Sequence, residues 1–329
     1  MTKCGSSPAS SRCQPQPLSQ LMTVSSMYDA VHGFAQGEPQ ELSRSICLAE
    51  GSTYDVNLER AVGAGRVVFA SGESSTKIAD IYQKFPIALA FPRIDDRRFQ
   101  EAVIINCSGG IAGGDQLQIE MVAEKYASVA VTTQAAEKVY RALDRPARIV
   151  TRLKAHENAK LAWLPQETIV FDKARIKRHT EIDLCSGAEM IALEWLVLGR
   201  TESGEEVGSG YILDSWRVRL DDRLVWADGF LVCNEVFAHL HRGALLSKWK
   251  AVGTLIYFGP SLDARLETLR EIATSLNCKC AATQVGAIIV VRVAATASGS
   301  LKQGLRRLLD RFSHEIGSGP FGIPKMWSC

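Results

Sequence analysis

The sequence predicts a mainly β protein that ends in an α-containing portion, and three observations carry that expectation. Short apolar or alternating runs recur at near-regular intervals from Gly65 to Val232, each bounded by turn residues. Two glycine pairs, Gly109-Gly110 and Gly113-Gly114, sit between two such runs and demand a sharp bend of the chain. Only after Gly253 does the apolar spacing change to that of a helix. Short strands separated by turns build stacked sheets, either a sandwich or a β-helix-like pile, and their pattern does not choose between the two.

In order along the chain, residues 1–50 are rich in Ser, Pro, Gln and Cys, with no acidic residue before Asp29. Such a segment buries too little apolar surface to offset its ordering entropy, so a disordered extension is expected there. A transit peptide would carry more Arg than Arg12 alone before Met22. Residues 51–252 form the β body. RVVFAS, IALAF and EAVIIN are its first runs, and QLQIEMV and ASVAVTT follow the glycine loop. Gln134 to Arg141 reads as a short helix-compatible turn. Further β runs are Ala147 to Leu153, Lys160 to Leu164, Thr168 to Phe171, Thr180 to Leu184, Met190 to Leu198, Ser209 to Leu220, Leu224 to Trp226 and Gly229 to Val232. Residues 253–329 read as a β-α-β-α unit packed on the same body. GTLIYF and AIIVVRV are its strands. Leu262, Leu266, Leu269, Ile272, Ala273 and Leu276 mark one helix with Ser261 as N-cap. Leu301, Leu305, Leu308, Leu309, Phe312 and Ile316 mark a second, with Ser300 and Gln303 as a capping box. Core packing is the expected use of both Leu stripes, with a partner-helix interface as the alternative.

Composition narrows the function classes. A chain of 329 residues buries a sizeable core, and 46% hydrophobic with 22% charged residues is ordinary for a globular protein. Lys plus Arg number 38 against 36 Asp plus Glu, so no global charge points to nucleic acid or a membrane surface. No apolar run approaches the roughly eighteen residues of a membrane span. Nine scattered cysteines in a chain of this size point to reduced thiols and a cytoplasmic setting rather than a disulfide framework. There is no Gly-x-Ser-x-Gly, His-Glu-x-x-His, Cys-x-x-Cys or P-loop, which leaves these common enzyme signatures unfilled. The glycine pairs precede a strand and no Lys-Ser/Thr follows, so they read as a bend between strands, with Asp115 accepting hydrogen bonds from loop N–H groups, rather than as a phosphate cradle.

Four ordered stretches, GGIAGGD (109–115), TTQAAEKVYR (132–141), LAWLPQETIVF (161–171) and LGR (198–200), with PKMW near the C-terminus, closely resemble the urease accessory protein D family, UreD, called UreH in some bacteria. The resemblance covers about residues 57–329. It implies an elongated, many-stranded, β-helix-like stack. It also implies a urease maturation factor, not an enzyme, which binds apo-urease with a helical UreF-like accessory partner and a UreG-like GTPase. In that picture Ni²⁺ passes transiently toward the urease active site, with no permanently bound cofactor. The sequence departs from the family at Glu137, where relatives usually carry Thr or Ser.

Candidate chemistry rests on few residues. Asp115 closes the glycine loop and Glu194 lies among apolar neighbours in LEWLVLGR. A buried carboxylate needs a partner or water, so each either lines a wet passage or meets an Arg or backbone partner. A resemblance to a nickel-handling family favours the passage, because sparse oxygen ligands bind a divalent ion weakly enough to release it. Lys138, Tyr140 and Arg141 match the family's Lys-x-Tyr-Arg and are the candidate partner-docking patch; the alternative is local packing of Tyr140 with two solvated cations. Two further pairs have metal-like spacing, His239/His241 and Cys278/Cys280, since residues two apart share one face of a strand. They support the alternatives of a metal-dependent hydrolase using His239 and His241. A purely structural urease chaperone without nickel contact is the other alternative.

Overall fold

The computed structural model describes residues 59–73, 75–93, 99–200, 203–237, 239–243, 245–317 and 319–328. The expectation for residues 1–50 lies outside the described residues. All elements below belong to the unit Leu58–Cys329.

Strands are numbered along the chain and fall into two sheets. In the first, β1 (Val62–Ser71), β5 (Gln116–Ala123), β8 (Ala147–Ala155), β11 (Arg175–Leu184) and β13 (Tyr211–Leu220) lie parallel, side by side, in the order β13-β11-β8-β5-β1. Antiparallel β2 (Thr76–Lys84) borders β1, and antiparallel β14 (Arg223–Cys233) borders β13. In the second sheet β4 (Gln100–Asn106), β6 (Ser128–Thr133), β9 (Lys160–Trp163) and β12 (Glu189–Leu198) are again parallel neighbours. Antiparallel β3 (Ile87–Ala90) closes one side of that sheet, while β15 (Ala251–Phe258), β17 (Ile288–Ala295) and β16 (Lys279–Val285) extend the other. Two short strands, β7 (Glu137–Val139) and β10 (Thr168–Val170), add a parallel rung beside the end of β12.

From β4 to β13 the chain alternates between sheets, laying one strand on each per coil. That is β-solenoid-like stacking, and it resolves the choice between sandwich and pile. Strict alternation drives it: in β11 the inward Ile176, Arg178, Thr180, Ile182 and Leu184 are buried, while the outward residues are half-exposed. β12 is buried on both faces, as a central parallel strand should be.

The C-terminal portion keeps the expected strand–helix–strand–helix order with one strand more, because Lys279–Val285 pairs antiparallel with β17 as a hairpin. Its polar, exposed sequence hides it from apolar periodicity, and the same holds for β2. After a short turn, α1 (Asn234–Phe237), the long helices are α2 (Leu262–Thr274) and α3 (Ser298–Ile316). Both pack on the second sheet, so the Leu stripes are core: Leu269 and Ile272 of α2, and Leu301, Leu305, Leu308, Leu309 and Phe312 of α3, join Trp195, Tyr257 and Trp327 in one cluster. The capping details differ. Ser261 adopts a left-handed conformation (φ 57°) and makes no side-chain cap bond. α3 starts at Ser298 behind Ala297, so Ser300 and Gln303 lie within its first turns and form no capping box. Leu224 to Trp226 and Gly229 to Val232 are one continuous strand, β14.

Candidate functional site

The glycine loop joins β4 to β5 and is pinned from three sides. Asp115 Oδ2 accepts from the Ala112 N–H at 2.7 Å and Oδ1 from the Ala61 N–H at 3.0 Å, so the carboxylate of this buried residue holds the bend closed. Gly113 has no room for a side chain, since a Cβ there would lie 2.5 Å from Ala142 Cβ. Gly110, at φ 148°, lies under the Tyr140 ring. Ser108 Oγ stands 2.7 Å from Gly110 O and 2.6 Å from Asn106 Oδ1.

Residues 134–141, expected as a helical turn, form a bend and then the extended β7 instead: Ile111 N–H donates to Lys138 O at 2.7 Å and Tyr140 N–H to Ile111 O at 2.8 Å. Pairing with the loop and with β10 outweighs the local helix preference. The strand alternation points Val139 inward and leaves Lys138 and Tyr140 exposed, with Arg141 exposed beside them. The Tyr140 hydroxyl donates to Gly109 O at 2.8 Å and its ring meets Phe171 edge-on at 5.2 Å, while the Arg200 guanidinium covers Phe171 at 4.5 Å. Lys138, Tyr140 and Arg141 are thus one surface beside the glycine loop, and Leu143 adds an apolar side chain 73% exposed.

Glu137, on the other side of β7, is half-buried and registers with Thr168, which registers with Leu196. The Asn106 side-chain amide donates to both its oxygens at 3.1 Å. Burial pushes its carboxyl up to about 7, against the pull of the Asn106 bond and of the Lys138 N–H.

Glu194 lies between the two sheets and has strong partners. Arg178 Nη1 is 2.6 Å from Glu194 Oε2, and the Trp163 indole N–H donates to Oε1 at 2.8 Å. The same guanidinium makes a two-pronged bond to Asp214, at 3.0 and 2.7 Å, and donates to Thr168 Oγ1 at 3.0 Å. Arg178, Glu194 and Asp214 are all buried. Burial opposes the Arg178 charge, but Asp214 and Glu194 more than offset it and hold the guanidinium above its ordinary pKa. Burial pushes the Glu194 carboxyl up; Arg178 and Trp163 pull it back only in part, and Asp214 pushes it further. Glu194 thus carries its charge against burial, in a cluster of two acids and one cation.

The cluster borders a cavity of about 430 Å³ lined by Glu194, Asp214, Leu196, Phe230, Trp249, Cys280 and Arg292 among others. Its lining includes the exposed Lys279 and Arg292, so it runs from the buried acids to the surface between β14 and β16. Asp115 is not part of it: it closes the loop ahead of β5 whereas Glu194 stands on β12, and the structure does not bring the two expected passage residues together.

The other candidate pairs fare as follows. His239 and His241 lie in exposed turns after α1, not on a strand, so their spacing gives them no common face. Cys280 is the second residue of β16 and Cys278 stands just before the strand; both are free thiols, and burial pushes Cys278 up and Cys280 to about 12. Among the described residues no three His, Cys, Asp or Glu side chains gather as a metal-holding group. Sequence reasoning missed Arg178, Asp214, Trp163 and Thr168. The first two carried a readable signal: each is a charge at an inward position of an alternating strand, in RIKRHTEI and YILDSW.

The profile of the UreD urease accessory protein family matches residues 61–328. A urease accessory protein UreD of Agrobacterium fabrum is 36% identical over 293 residues, 89% of this chain and 99% of the relative. UreD 1 of Methylobacterium radiotolerans is 38% identical over 265 residues, covering 80% and 89%. UreD of Xanthobacter autotrophicus is 35% identical over 270 residues, covering 82% and 91%.

Proposed function

The chain belongs to the UreD family of urease accessory proteins, and from that premise we propose that it serves urease maturation as a scaffold that helps bring nickel to apo-urease in the cytoplasm. Its partners in this reading are apo-urease, a helical UreF-like accessory protein and a UreG-like GTPase. It hydrolyses neither urea nor GTP.

The observation that carries the nickel step is the Arg178–Glu194–Asp214 cluster at the inner end of a cavity that reaches the surface. Ni²⁺ is cargo here, not a resident ion. Two carboxylates share one guanidinium, so an arriving divalent cation competes with Arg178 for Glu194 while Asp214 keeps hold of the arginine. Oxygen donors alone, without a thiolate cage, hold such an ion weakly and let it move on. Burial favours any state that offsets the Glu194 charge, whether by a proton, by Arg178 or by the cation. Asp115 contributes through the loop it closes, and Lys138, Tyr140 and Arg141 are the surface beside that loop offered to a partner.

The test is Glu194→Gln, which keeps the size of the side chain and an acceptor for Trp163. Urease matured with this variant should contain clearly less nickel while the complex of the chain with apo-urease still forms. Full nickel loading with the variant would overturn the passage and leave a structural chaperone.

A further inference from the structure

The free edge of the first sheet carries an inference that stands apart from the maturation reading. β2 has β1 on one side and, among the described residues, no strand on the other. Such an edge offers a row of unpaired N–H and C=O groups to any strand that fits it. Every residue of β2 after Thr76 is exposed. Five of the twelve large apolar side chains exposed on the described residues gather at this corner: Val62 where β1 begins, Ile78, Ile81 and Tyr82 on β2, and Phe85 just after it, 74% exposed. The first half of β2 is guarded, by Lys77 and by a bulge where the register with β1 shifts between Val68 and Phe69. The second half is regular, with Asp80 to Lys84 pairing without interruption with Val68 to Ala64. Along it Asp80, Tyr82 and Lys84 alternate onto the outer face, where Asp80 is ion-paired to Arg66 of β1.

We propose that this edge pairs with the same edge of a second copy of the chain, antiparallel, about a two-fold axis through Tyr82. An axis perpendicular to the sheet keeps the outer faces of both copies on one side, so outward residues oppose outward residues. With the axis at Tyr82, Asp80 of each copy opposes Lys84 of the other, twice over, and the two Tyr82 rings form a cross-strand aromatic pair at the centre. An axis at Asp80 sets acid against acid, and axes at Ile81 or Gln83 leave both charges opposite uncharged residues. The second copy is thus the occupant whose charge pattern the strand itself supplies. The contact is self-complementary and closes at two chains, adds main-chain hydrogen bonds along the regular stretch, and joins two seven-stranded sheets into one.

Sedimentation equilibrium of the full chain over a concentration series should show the mass of two chains forming from one. Tyr82→Glu tests the axis: within the chain the new acid has Arg66 as its register partner, but across the axis it meets its own copy, and dimer affinity should fall about tenfold or more. Asp80→Lys and Lys84→Asp each set like charges opposite one another and should weaken the dimer about tenfold. The double variant restores opposite charges and should regain wild-type affinity. Should loss of the Arg66 pair unfold the Asp80→Lys chain, Tyr82→Glu and Lys84→Asp still decide. A single-chain mass at every concentration would overturn the proposal, as would a dimer that the single changes leave intact. A folded double variant as weak as its parents would overturn the axis at Tyr82.

Discussion

β12 separates two cores of opposite character. On the helix side its Ile191, Leu193, Trp195 and Val197 meet Leu301, Leu305, Leu308 and Phe312 in an apolar cluster. On the other side Ala192, Leu196 and Leu198 share the space between the sheets with Glu194 and, through it, Arg178 and Asp214. One strand thus gives alternate residues to packing and to buried charge. The difference is instructive because a buried ion pair is a poor way to gain stability: well-packed apolar replacements are often as stable or better. The helix side holds the fold; the charge between the sheets is what the proposed nickel step draws on.

Breaking the cluster should have the largest effect. Arg178→Ala leaves two buried carboxylates without their cation and should cost about 3–5 kcal/mol, read as a lower urea midpoint. The triple change Arg178→Met, Glu194→Leu and Asp214→Leu should recover most of that loss yet leave the matured urease short of nickel. A stable triple variant that loads nickel fully would erase the distinction between the two cores. On the helix side, Leu308→Ala should cost about 3 kcal/mol through its cavity, with nickel delivery reduced only as far as folded protein is reduced.

Glu137 sharpens the comparison through pH. Its carboxyl is raised from 4.5 to about 7, so its contribution to stability is whole below about pH 4.5 and is lost as the pH rises through 7. Between pH 5.5 and 8 the wild type should lose about 2 kcal/mol from this group, and Glu137→Gln should flatten that part of the stability curve. An unchanged curve would mean that the carboxyl is solvated. The smallest effect is expected at Asp115→Asn, about 1 kcal/mol, because the new amide still accepts from one backbone N–H but turns a donor toward the other. Hydrogen exchange at Ala61 and Ala112 reports it directly.

How much of this was legible depended on periodicity. Strands with an apolar inward face, such as Ala147–Ala155 and Glu189–Leu198, announce themselves, and so do the Leu stripes of α2 and α3. β2 and β16 do not, because their side chains are mostly exposed and their stability comes from a paired neighbour rather than from burial. Residues 134–141 failed for the reverse reason: local helix preference lost to pairing partners distant in sequence, at Ile111 and Thr168. Glu194 could be singled out as an acid among apolar residues, yet its meaning depends on Arg178 and Asp214, which no local window contains. Asp115 was readable both ways, and its two amide bonds match the loop-closing alternative.

The placement of the antiparallel strands has one more consequence. A stack of parallel rungs is in principle unending, since the last strand offers the next copy the same edge that the chain has just used. Here every boundary of the two parallel runs is reversed: β2 against β1 and β14 against β13 in one sheet, β3 against β4 and β15 against β12 in the other. An incoming copy that presents its own rung in the native direction finds a strand running the wrong way for it. The protein thereby limits its own repeat and guards against fibre growth.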